Sequence, residues 1–114
     1  MQAEQLLNLV ETVLNDHKAQ RVTVLDVRGK TSVTDYMVIA TATSSRHASA
    51  LSGHLAGKIK ENGLLPLGVE GATGSDWVLI DLGDVVVHLM TVQSREFYQL
   101  EKLWSVSGEK QMGA

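Results

Sequence analysis

The sequence predicts an α/β (α+β) fold in a single domain, a mixed sheet of about five strands with helices packed against it. Three observations carry that expectation. Apolar residues recur at helical spacing in three stretches. Runs rich in β-branched residues, separated by turn residues, mark five strands. A chain of 114 residues is close to the usual size of one compact core. The order is helix, two strands, helix, three strands and a helix.

From Ala3 to His17, the residues Leu6, Val10, Val13 and Leu14 fall at three- and four-residue steps, so one face of a first helix packs on the core. Val22 to Val27 reads as a strand, with Gly29-Lys30 as the turn after it, and Tyr36 to Thr41 reads as a second strand. Ser44 or Ser45 then caps a helix whose stripe is Ala48, Leu51, Leu55 and Ile59, and Asn62-Gly63 closes it. Beyond Pro66, Leu67 to Glu70 makes a short strand, with Gly71, Gly74 and Ser75 as a link.

Trp77 to Leu82 and Val85 to Met90 are separated only by Gly83-Asp84, a glycine-first pair suited to a two-residue type II′ hairpin. That turn sets the register. Leu82 faces Val85, Ile80 faces Val87 and Val78 faces Leu89, giving one aliphatic side that belongs to the core. On the other side Trp77 pairs with Met90, Leu79 with His88 and Asp81 with Val86, a half-polar face. A last helix is expected from Ser94 to about Trp104, presenting Phe97, Leu100, Leu103 and Trp104. The domain therefore covers 1–104, and the polar stretch 105–114 is expected to fray.

Composition excludes several classes. The chain has no cysteine, which removes disulfides, thiolate metal sites and cysteine nucleophiles. No apolar run is long enough for a membrane span and the first residues carry acids, so a cytoplasmic protein is expected. A net charge of -3 argues against direct nucleic-acid binding driven by phosphate contacts. Between Lys60 and Arg95 there is no Lys or Arg, while Glu61, Glu70, Asp76, Asp81 and Asp84 all lie there, so part of the surface is acidic.

No constellation speaks for catalysis, a metal or a cofactor. Asp81 and Asp84 flank a hairpin turn, where Asp serves local hydrogen bonding more often than metal or acid-base chemistry. The loop from Thr41 to His47 opens a helix and could attract an anion with Arg46, but it lacks a glycine, and capping is the stronger reading of its serines. His17, His47, His54 and His88 have no ligand at helical spacing. Phe97, Tyr98 and Trp104 lack a basic groove and read as packing. The cluster of Trp77, Leu79 and Met90 reads equally as core or as the apolar centre of an interface with an acidic rim, suited to a basic partner.

The stretches Asp35-Tyr36-Met37-Val38-Ile39-Ala40-Thr41, Ser45-Arg46-His47-Ala48 and Glu70-Gly71, with Trp77 and Asp81 after them, occur in one order. They are followed by Gly83-Asp84-Val85-Val86-Val87-His88, Arg95-Glu96-Phe97-Tyr98 and Leu100-Glu101-Lys102-Leu103-Trp104. Together they resemble the ribosomal silencing factor (RsfS), or Iojap-like, family. The resemblance implies a nucleotidyltransferase-like fold without an enzyme's activity. It also implies a protein that binds the large ribosomal subunit through that subunit's fourteenth protein, blocks joining of the small subunit and represses translation under nutrient limitation. The implied docking surface maps to Trp77, Asp81, Leu82 and their neighbours, to which the hairpin register and charge pattern add Met90, Glu70, Leu79 and His88. Homodimers are implied as well. Ala42 departs from the glycine common in the family, which further weakens an anion site in that loop. A nucleotidyltransferase-like enzyme and a dimeric adaptor protein are the competing readings.

Overall fold

The structure, a computed structural model, describes residues 1–71, 74–100 and 102. Its elements are α1 (Ala3–Asp16), β1 (Gln20–Asp26), β2 (Tyr36–Ala42), α2 (Ser45–Glu61), β3 (Gly68–Glu70), β4 (Trp77–Asp81), β5 (Val85–Thr91) and α3 (Val92–Tyr98). The five strands form one sheet in the order β1-β2-β5-β4-β3. Only the central pair β2–β5 is parallel, running from Tyr36 opposite Val85 to Ala42 opposite Thr91. These two strands are buried on both faces, which is why both read as nearly unbroken apolar runs.

The main core lies on one face of the sheet. Val38 and Ala40 of β2, Val78 and Ile80 of β4, and Val85, Val87 and Leu89 of β5 meet Leu51, Leu55 and Ile59 of α2 and Val10 and Leu14 of α1. The stripes read from the sequence are therefore the faces that pack. Ser44 caps α2 by accepting from the His47 backbone N–H at 3.0 Å, and Asn62 with Gly63 (φ +79°) ends it.

The opposite face is covered only in part. Val27, Met37, Ile39 and Met90 form a small cluster there, with Leu25, Trp77 and Leu100 against it. Arg95 of α3, only 2 % exposed, fixes the helix over that end of the sheet. Its guanidinium donates to the Arg21 carbonyl at 2.6 Å, to Thr41 Oγ1 at 2.9 Å and to Thr23 Oγ1 at 2.7 Å. The Arg21 carbonyl is free to accept because the β1–β2 register shifts between Gln20 and Thr23, with Arg21 at φ +49°.

The last helix differs from the expectation of Ser94 to Trp104. It starts at Val92, where the Thr91 side chain accepts from the Ser94 N–H at 3.4 Å, and it stops at Tyr98, because Gln99 turns left-handed at φ +50°. Phe97 (80 % exposed) and Tyr98 (51 %) are consequently not core residues. Glu101, Leu103, Trp104 and the expected tail 105–114 lie outside the described residues.

Candidate functional site

The β4–β5 hairpin carries the residues singled out in the sequence, and its register is the one its turn dictates. Trp77 lies opposite Met90, Leu79 opposite His88 and Asp81 opposite Val86. Of the two turn residues only Gly83 has a positive φ, at +87°, as a type II′ turn requires. The Asp81 carboxylate accepts from the Gly83 N–H at 2.9 Å, so this acid serves the turn.

Trp77 is half-buried and held from three sides. Its indole N–H donates to His88 Nδ1 at 2.9 Å, and its ring lies 4.6 Å, centroid to centroid, from Tyr98. The Ser75 hydroxyl donates to the Trp77 carbonyl at 2.9 Å and its oxygen accepts from the Trp77 N–H at 3.2 Å. Gly71 makes room for this bend. A Cβ there would sit 2.5 Å from the Trp77 carbonyl oxygen, and Gly71 already has φ +74°.

His88 is 6 % exposed, and burial lowers its pKa to about 4, so the ring is neutral at neutral pH. Since Nδ1 accepts from Trp77, the ring proton resides on Nε2. The face expected to be half polar is thus drier at His88 than the sequence implied.

One of the seven expected docking residues needs correction. Met90 has no accessible surface, being sealed beneath Trp77 and Leu100, and supports the face from below. His88 orients Trp77 through Nδ1 and lines a hollow with the rest of its ring. Leu82 is half-buried at the hairpin tip and packs on the main core, as its register implied. Leu79 and Asp81 are half-buried, and Glu70, opposite Leu79 on β3, is exposed.

Two hollows flank Leu79. One of about 490 Å³ is lined by Glu70, Asp76, Trp77, Leu79 and Tyr98, an aromatic pair under acidic groups. The other, of about 360 Å³, is lined by Val33, Met37, Leu79 and Val86 together with His88 and Asp81. Tyr98, Val33 and Met37 were not foreseen at the site. Met37 was legible in principle, since it alternates with the core residue Val38 and must face the other way.

The remaining sequence candidates are structural. His47 accepts at Nδ1 from the Thr43 N–H at 3.0 Å, which leaves Nε2 to donate to the His17 carbonyl at 2.9 Å. His17 and His54, expected to be isolated, stack at 3.6 Å because α1 and α2 lie side by side. No group of three His, Cys, Asp or Glu that could hold a metal occurs among the described residues. Nor is any helix among them long and apolar enough to cross a membrane.

The whole chain has relatives. The family described as "Ribosomal silencing factor during starvation" matches residues 1–113. A ribosomal silencing factor RsfS of Haemophilus influenzae is 46 % identical over 97 residues, covering 85 % of this chain and 94 % of the relative. The RsfS of Zymomonas mobilis is 41 % identical over 106 residues, covering 93 % and 80 %. A crystal structure of a Chromobacterium violaceum protein superposes with a TM-score of 0.89 at 37 % identity, covering 92 % of this chain and 88 % of the other.

Proposed function

The chain belongs to the ribosomal silencing factor family, and from that premise we propose that it binds the large ribosomal subunit in the cytoplasm and prevents the small subunit from joining. The contact is made with the fourteenth protein of that subunit, through the hairpin face around Trp77, Leu79, Asp81 and Glu70, with Leu82 at its tip. The observation that carries this reading is the state of Trp77. A large aromatic residue is held in place by His88, Tyr98 and Ser75 yet left half open on a sheet face that no helix among the described residues fully covers. A pre-positioned aromatic anchor loses little side-chain entropy when a partner lands on it. The rim of Glu70, Asp76, Asp81 and Asp84 suits a basic protein.

The mechanism is steric and needs no cofactor. Occupancy of the joining surface is sufficient, so repression follows the concentration of the protein relative to its dissociation constant. The same face can pair two copies of the chain, in which case pairing competes with docking. Co-sedimentation with purified large subunits, followed by addition of small subunits, tests the reading. Binding with fewer joined ribosomes is expected, and joining unaffected by saturating protein would overturn it.

A further inference from the structure

The hollow beside the Trp77 anchor is lined by the His88 imidazole, whose Nδ1 is occupied by the Trp77 indole. Among the described residues the His88 Nε2–H has no hydrogen-bond partner, although the residue is only 6 % exposed. Met37, Leu79 and Val86 line the hollow with Val33, 75 % exposed, and Thr31, Thr34 and Asp81 are the polar residues on its wall. A largely aliphatic hollow with a fixed imidazole donor suits an apolar side chain and one acceptor atom together.

Resting on the docking reading above, we propose that His88 is a specificity-determining residue. Its Nε2–H donates to a main-chain carbonyl of the protein partner while an aliphatic side chain beside that carbonyl fills the hollow. Charge selects a neutral acceptor. The Asp81 carboxylate lines the same hollow and would repel a phosphate or carboxylate placed there, which favours a protein carbonyl over RNA. The division of labour is then plain. Nδ1 orients Trp77 and Nε2 reads the partner, so one imidazole serves both hollows that flank Leu79.

Two substitutions separate these duties. His88→Asn places an amide oxygen where Nδ1 stands but has no donor at the Nε2 position, whereas His88→Gln can present a donor there. Titration against purified large ribosomal subunits by co-sedimentation should show at least a tenfold loss for His88→Asn, and tighter binding by His88→Gln than by His88→Asn. Binding by the Asn variant within threefold of wild type, or tighter than the Gln variant, overturns the proposal. Val33→Asp, on an exposed side chain that folding does not need, should also lose tenfold or more, and it decides alone if His88→Asn melts below the assay temperature. Unchanged binding by Val33→Asp overturns the hollow as a contact. Equal capture of protein-free ribosomal RNA, with the same loss in the Asn variant, overturns the carbonyl as its ligand. Trp77→Ala keeps the two ideas apart. If it binds normally the docking reading itself falls, whereas a loss there with normal binding by His88→Asn and Val33→Asp removes this inference only.

Discussion

Trp77 and Met90 are direct partners across the β4–β5 pair, yet Trp77 is half open to solvent and Met90 has no accessible surface at all. Met90 belongs to a buried cluster against which Trp77 and Leu100 pack, whereas Trp77 lies on the outside of that cluster beside Tyr98 and His88. On the proposed function, these opposite positions on one sheet face would serve docking and stability separately. Trp77→Ala should weaken binding to large subunits by about 2 kcal/mol or more while changing the melting temperature little, as removal of a central aromatic anchor does. Met90→Ala should do the reverse, costing about 2–4 kcal/mol of stability through the cavity it leaves. Calorimetric melting beside co-sedimentation reads both, and loss of folding in Trp77→Ala would show the indole to be core.

His88 makes the fold sensitive to acid. Its pKa falls from 6.5 to about 4 on folding, because burial disfavours the imidazolium. The unfolded chain thus takes up a proton that the folded chain refuses. Stability is full above pH 6.5 and declines as pH falls from there towards 4, by about 3 kcal/mol for this group. Urea unfolding of wild type and His88→Gln across that range should show the slope in the difference between them. Parallel curves would place the pH dependence elsewhere.

Glu70 provides the cleaner test of the acidic rim, since it is exposed whereas Asp81 is occupied by the Gly83 N–H. Glu70→Lys should weaken binding at low salt and lessen its dependence on ionic strength, because the attraction it removes is a screened one. Binding that kept the same salt dependence would count against a basic partner surface.

Arg95 joins α3 to β1 and β2, and Tyr98 on that helix leans on Trp77. Arg95→Met should cost about 3 kcal/mol of stability, as three charge-assisted hydrogen bonds are lost and the buried Thr41 hydroxyl loses its donor. It should also free Tyr98 from Trp77. A red-shifted tryptophan emission with weakened ribosome binding is expected, and an unchanged spectrum would show that α3 is seated by other contacts.

How much of this was legible in the sequence depended on how local its cause was. The hairpin register followed entirely from Gly83-Asp84, because a two-residue turn leaves one pairing. The stripes of α1 and α2 were legible for the same reason, as was the Ser44 cap. The burial of Met90 was not, since it requires Leu100 to return over the sheet. Nor was the role of Arg95, whose acceptor Arg21 lies 74 residues away and is exposed by a bulge with no sequence signature. Tyr98 was assigned to packing by helical spacing, which the left-handed Gln99 interrupts. The hairpin part of the candidate site was legible because Trp77 and its cross-strand neighbours are set by one turn, and the residues that support it were missed because they come from elsewhere in the chain.

The parallel β2–β5 pairing also bears on how the chain can be made. β2 is buried along its whole length, yet its central neighbour ends only at Thr91. A ribosome adding roughly 5–20 residues per second needs several seconds to pass from one to the other. Throughout that interval Tyr36 to Ala42 has β1 on one side and an open apolar edge on the other. The nascent chain is therefore most exposed to misassociation just before the hairpin emerges, and helix α2, synthesised in between, is the element placed to shield β2 until the sheet closes.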